Sequence, residues 1–173
     1  NNGDTQYIPL DFTPDLVYVT GRETAIHKQL FTSFASQKVL ATSGDYAEYT
    51  FTGARTRPRG FDAAYSSSSG YTMNTNGHNY MAYCWKAGGA RVANTDGTIA
   101  SQVSVNKEAG FSMVTYTGTG ADGTVGHGLV KVPAVVIIKN RDRNVEWIVK
   151  HQKLSSGKIL YLNLSSGEDA ATG

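Results

Sequence analysis

A block of features near the amino terminus of this chain returns about 119 residues later, and that echo constrains the fold more than any single motif. Pro14-Asp15-Leu16-Val17-Tyr18-Val19-Thr20-Gly21-Arg22 is matched by Pro133-Ala134-Val135-Val136-Ile137-Ile138-Lys139-Asn140-Arg141, an offset of 119 from Pro14 to Pro133. The same order then follows in both places. Ile26 with Lys28-Gln29 is answered by Ile148 with Lys150-His151-Gln152. Lys38-Val39-Leu40 before Ser43-Gly44-Asp45 is answered by Lys158-Ile159-Leu160 before Ser166-Gly167-Glu168. Self-similarity at a long, fixed period marks a duplicated structural unit. A chain of 173 residues has room for one ordinary domain or for two smaller units sharing a core.

Each copy reads as strand, turn, strand, turn, strand. The β-branched run at residues 135–138 follows a proline. It suits a strand buried on both faces and central in its sheet, where each such side chain stabilises by ~1.5–3 kcal/mol. Val145, Trp147 and Val149 alternate with Glu146, Ile148 and Lys150 after the turn Arg141-Asp142-Arg143-Asn144, a hairpin signal that points Trp147 inward. Residues 159–164 form a third strand, entered through Ser155-Ser156-Gly157. Two more candidates lie between the echoes, Tyr71-Thr72-Met73 and residues 80–85 after Asn76-Gly77.

Only 17% of residues are charged, against ~25% in an average domain. With 19 Gly and 10 Tyr, that favours strands and turns over solvent-facing helices. Residues 24–35 alone fit a helical turn or two, and their alternation fits a strand equally well. Ala87-Gly88-Gly89-Ala90 and the polar stretch to Ala109 read as a linker. The expected fold is all-β, with antiparallel β-sandwich-like units in tandem and little or no helix. Residues 1–88 form the latter part of one unit, 89–109 the linker, and 110–173 the opening part of a second.

Formal net charge is +2 and the basic residues are scattered, which argues against a nucleic-acid footprint. Cys84 is the sole cysteine, so no intrachain disulfide forms; within Tyr80-Met81-Ala82-Tyr83-Cys84-Trp85 it reads as a small buried hydrophobe. No stretch approaches the ~20 apolar residues of a helical membrane span.

Gly118-Thr119-Gly120-Ala121-Asp122-Gly123 matches the dinucleotide pattern, but no helix signal follows the glycines, so it reads as a flexible turn. His27, His78, His127 and His151 lack metal-ligand spacing, and a lone Cys84 completes no thiolate site. No cofactor and no metal are therefore expected. Many of the fourteen acids sit in turn sequences such as Asp96-Gly97 and Asp122-Gly123, and no GxSxG elbow is present. No catalytic residue is assigned. The candidate ligand-binding residues are Arg55, Arg57 and Arg59 around Pro58, suited to phosphate or an acidic sugar, and Tyr65 beside the serine run at 66–69, suited to stacking on a sugar ring.

The run Tyr80-Met81-Ala82-Tyr83-Cys84-Trp85-Lys86-Ala87-Gly88-Gly89 resembles a known repeat, as do Asn94-Thr95-Asp96-Gly97-Thr98-Ile99, Gly110-Phe111-Ser112-Met113-Val114-Thr115-Tyr116-Thr117-Gly118 and Val125-Gly126-His127-Gly128-Leu129. The repeat occurs in tail-fibre-like or tail-associated proteins of tailed, mainly aquatic bacteriophages. The match covers most of the chain but not residues 50–61, where receptor specificity would sit. The resemblance implies a non-enzymatic virion structural repeat on a tail or another extracellular surface. It implies partners that are copies of the chain or other virion proteins, contact with host surface glycan, and a second unit continuing beyond Gly173. Two other classes stand beside it: a carbohydrate-binding module, which needs an exposed aromatic patch, and a glycan-degrading enzyme, which needs facing carboxylates.

Overall fold

The computed structural model describes residues 5–22, 28–65 and 72–170. Among them there is no helix, and the chain is all-β with antiparallel pairing throughout. The strands are β1 (Gln6–Pro9), β2 (Leu16–Gly21), β3 (Gln29–Thr32), β4 (Lys38–Ala41), β5 (Tyr49–Thr50), β6 (Arg55–Arg57), β7 (Gly60–Ala63) and β8 (Tyr80–Trp85). They continue with β9 (Val92–Asn94), β10 (Ser101–Asn106), β11 (Phe111–Tyr116), β12 (Val135–Ile138), β13 (Ile148–His151), β14 (Lys158–Tyr161) and β15 (Asp169–Ala170). Residues 28–35, the described part of the ambiguous stretch, form β3 and a turn, while 24–27 lie outside the described residues. Of the strand expected at 71–73, Tyr71 is likewise outside, Thr72 and Met73 are not in a strand, and Met73 N donates to Ala64 O at 2.9 Å.

The first unit is a two-layer sandwich. A five-stranded sheet, ordered β5-β4-β3-β2-β8, lies against a three-stranded sheet, ordered β1-β7-β6. Strand periodicity sends Val17, Val19, Phe31 and Val39 to the inner face, where they meet Phe61 and Ala63. The rings of Phe31 and Phe61 sit 6.1 Å apart at 57°, a tilted aromatic contact at the centre of the core. Asp15 closes one end of this unit. Its buried carboxylate accepts from Ser33 Oγ at 2.9 Å through Oδ1, and from Ala87 N at 2.8 Å and Gly89 N at 3.3 Å through Oδ2. The chain thereby turns sharply out of β8, and Gly88 passes so close to β10 that a Cβ there would lie 2.5 Å from Val105 O.

Residues 89–109, expected as a linker, instead carry β9 and β10, which pair with β11 in a three-stranded sheet. The polar composition misled because this sheet is built from small side chains: Ser101, Val103 and Ser104 are all buried. Ser104 Oγ accepts from Gly88 N and donates to Gly89 O, both at 2.9 Å, so a serine hydroxyl does the packing expected of an apolar residue.

The second echo forms a four-stranded meander, β12-β13-β14-β15, in the order and register of β2-β3-β4-β5. Val17 pairs with Phe31 and Val136 with Lys150; Leu30 pairs with Leu40 and Val149 with Leu160; Lys38 pairs with Thr50 and Lys158 with Ala170. The offset is 119 in the first two strands and 120 in the last two, one residue having been added in the turn between them. Glu168 is thus the counterpart of Glu48, and residues 166–168 answer 46–48 rather than the Ser43-Gly44-Asp45 suggested by sequence.

A further expectation is overturned. β12 is not a central, doubly buried strand but lies at the edge of its sheet, exposed along its whole length. Its counterpart β2 is central only because β8 pairs with its outer side and the β1-β7-β6 layer covers its inner face. Val17 is 0% exposed, whereas Val136 at the same position is 39% exposed.

The two meanders meet through the turn at 139–147. Trp147 is buried just before β13, and its Nε1 donates to Ala41 O at 3.1 Å. Arg141 grips Glu48 with two bonds of 3.0 and 2.7 Å, and Glu48 N donates to Arg141 O at 2.7 Å. The side-chain bond to the Glu48 carboxylate raises the already high guanidinium pKa of Arg141. Lys139 Nζ donates to the carbonyls of Asp45, Arg143 and Val145, which ties both sides of the junction together.

Candidate functional site

Arg55 and Arg57 do not converge on an open anion site. Both alternate positions of β6 send their Nε to one oxygen, Oδ2 of the buried Asp62, at 2.7 and 2.9 Å. Two partly exposed guanidinium groups around one desolvated carboxylate leave about one net positive charge, held by the fold. Arg59 stands apart, in the hairpin turn between β6 and β7 with φ +56°, a left-handed backbone. Its carbonyl accepts from Tyr7 OH at 2.6 Å and from Leu10 N at 2.7 Å, while its guanidinium reaches Asp11 at 3.7 Å in solvent. Tyr65 is exposed just past β7, and the serine run that follows lies outside the described residues.

The aromatic feature that sequence reasoning missed is on β8. Its period of two places Met81, Tyr83 and Trp85 on the outer face of the five-stranded sheet, opposite Thr20, Tyr18 and Leu16 of β2. Tyr18, Tyr83, Trp85 and Phe111 of β11 form a continuous row with centroid separations of 6.0, 6.1 and 6.3 Å. The Tyr83–Trp85 and Trp85–Phe111 planes differ by only 19° and 22°. Tyr83 is 47% exposed and Trp85 38%. Nearby, the Arg91 guanidinium lies 4.7 Å over the Phe34 ring. The alternation Met81, Tyr83, Trp85 carried this signal in the sequence. Cys84 faces the other way, against the core, where burial pushes its thiol pKa up.

The glycine-rich loop at 118–123 borders a shallow hollow of about 440 Å³, lined also by Ile99, Tyr116 and Val125. Its base is pinned by a reciprocal threonine pair: Thr98 N donates to Thr124 Oγ1 at 3.0 Å and Thr124 N to Thr98 Oγ1 at 2.9 Å. His127 is half-buried; its Nδ1 accepts from Leu129 N at 3.0 Å and its carbonyl from Ser112 Oγ at 2.6 Å. Among the described residues, no three His, Cys, Asp or Glu side chains gather as metal ligands, and no helix is long and apolar enough to cross a membrane.

A second, partly open apolar surface is the inner face of the second meander: Val136, Ile138 and Ile148 are exposed at positions where the first unit buries Val17, Val19 and Gln29, Lys150 takes the place of Phe31, and Ile159 stays buried at the place of Val39. A family model described as a domain of unknown function, DUF7483, matches residues 1–173. The chain belongs to the DUF7483 family. No curated protein and no solved structure matches it. Among the described residues of this DUF7483 chain, the aromatic row and the open edge of the second meander are both exposed apolar surfaces.

Proposed function

We propose that this DUF7483 chain is a non-enzymatic structural and adsorption module of an extracellular or virion-surface assembly, of the kind represented by bacteriophage tail fibres. The observation that carries the reading is the duplicated meander, identical in strand order and register, whose second copy leaves an apolar edge and face open to a neighbour. Repeated β units joined through a fixed junction are how extended assemblies are built from one fold. The buried carboxylates Asp15 and Asp62 support a non-enzymatic role, since both are occupied by bonds that hold the fold. Copies of this chain or other surface proteins are the partners the reading requires. Sedimentation velocity across the micromolar range tests it: association through the second meander is expected, and a stable monomer at all concentrations contradicts it.

The aromatic row favours a second reading, carbohydrate binding, because exposed aromatic faces stack on the apolar faces of sugar rings. Binding on a glycan array that is lost in both Tyr83→Ala and Trp85→Ala supports this role; no binding, or binding indifferent to both, removes it. Arg55, Arg57, Arg59 and Tyr65 lie on the opposite layer or its rim, so their replacement distinguishes the two surfaces.

A further inference from the structure

We infer that the open edge of β12 and the apolar face beside it are a docking site for an extended strand of the β8 kind, presented by a neighbouring β module. The first unit supplies the template. There the same strand position, β2, pairs antiparallel with β8 from Leu16 opposite Trp85 to Gly21 opposite Tyr80. Among the described residues, the bonding pattern of β12 leaves the corresponding groups free for such a partner. Gln152 N donates to Ala134 O, so by the alternation of antiparallel ladders Ala134, Val136 and Ile138 bond toward β13. Val135 and Ile137 therefore direct their N–H and C=O groups outward, as Leu16 and Tyr18 do toward β8. Ser33 N donates to Asp15 O in the first unit, the same bond at an offset of 119.

The face beside that edge is largely apolar, with one lysine on it: Lys150 stands opposite Val136, where the first unit has Phe31, and turns its Nζ to Lys158 O. Val136, Ile138 and Ile148 stand on one side of the sheet and are all exposed. An unpaired edge flanked by β-branched side chains recruits another strand, and natural proteins otherwise blunt such edges with charge, proline or bulges. β12 has none of these within its four residues, Val-Val-Ile-Ile. The incoming strand is specified by β8 itself. It runs antiparallel, carries small or aromatic apolar groups such as Tyr80, Ala82 and Cys84 on the inward side, and has an aromatic outer side. Recognition is thus strand addition, with main-chain bonds giving affinity and alternate side chains giving specificity.

The inference rests on the module reading above, and its test is chosen to fail separately. A fluorescently labelled peptide with the sequence of residues 78–89, carrying Cys84→Ser to prevent oxidation, is titrated into the full chain and followed by anisotropy. Saturable binding is expected. It should weaken roughly tenfold or more in Ile137→Pro, which removes one outward N–H, and in Val136→Lys, which sets a second positive charge beside Lys150 on the face. Val136→Lys alters a side chain that is already exposed, so it should retain the wild-type circular dichroism and keep the test valid if the proline variant misfolds. Absence of binding overturns the inference, as does binding unchanged in Val136→Lys, since the peptide would then be seated elsewhere. A chain that stays monomeric yet binds the peptide at β12 refutes only the assembly reading, whereas an assembling chain that ignores the peptide refutes only this site.

Discussion

Val17 and Val136 occupy the same position in the two meanders, and truncating each to alanine measures how different their surroundings are. Val17 is 0% exposed and packs in the core with Phe31 and Phe61, so Val17→Ala removes two carbons from a closed interior. At ~0.8 kcal/mol per buried methylene-sized group the transfer loss is ~1.6 kcal/mol, and a residual cavity raises it to roughly 2.5 kcal/mol. Val136 is 39% exposed, so part of that surface is in water before and after truncation, and solvent fills the space left behind. The expected loss for Val136→Ala is below about 1 kcal/mol. Urea unfolding followed by far-ultraviolet circular dichroism compares the two, with midpoint shifts read at constant slope. Equal losses, or a larger loss at Val136, would refute the asymmetry between the copies.

Predictions at four other residues follow from particular contacts. Gln29 is fully buried and neither amide atom has a partner among the described residues, and its counterpart is Ile148; Gln29→Leu is therefore expected to raise the urea midpoint by the equivalent of ~1 kcal/mol or more, and a fall would show that the amide is satisfied. Asp15→Ala strands the buried Ala87 N–H and should destabilise by ~1–3 kcal/mol, while a neutral result would remove Asp15 from the closure of the first unit. Trp147→Phe loses the bond to Ala41 O and should destabilise by ~1 kcal/mol in thermal melts, with Trp147→Ala losing ~3–5 kcal/mol. Burial raises the Cys84 pKa, so at pH 8 less of it is thiolate; Ellman's reagent should react more slowly than with free cysteine and speed up in urea, and full reactivity in the native chain would contradict the placement.

The duplication was legible in the sequence because strand order and turn spacing survive even where side chains change; the one-residue addition between β13 and β14 was not, since both turns are polar and of similar length. Trp147 was legible as a buried residue from its alternation with Val145 and Val149, although β13 begins only at Ile148. The position of β12 was not, because a Val-Val-Ile-Ile run reports that a strand is apolar, not which strands reach it. β2 owes its burial to β8, some sixty residues away in the chain, and periodicity within four residues carries no such information. The sheet at 89–109 escaped for a different reason: Ser101 and Ser104 are core residues there, and small polar side chains in a close-packed strand look like a linker by composition. Among the candidate binding residues, the arginine cluster was visible as charge, but its neutralisation by Asp62 depends on hairpin register between β6 and β7. The aromatic row was written in the alternation of β8, yet its extension to Tyr18 and Phe111 required strands of two different sheets to be brought together.

The most direct test of the open second meander is residue-resolved hydrogen exchange, comparing β2 with β12 in dilute and in concentrated protein. The outward amides of Leu16 and Tyr18, paired with β8, are expected to exchange slowly at every concentration. Those of Val135 and Ile137 are expected to exchange rapidly in the dilute chain and to become protected as copies associate. Protection of Val135 and Ile137 equal to that of β2 in the dilute monomer, or fast exchange persisting in the assembled state, would contradict the account.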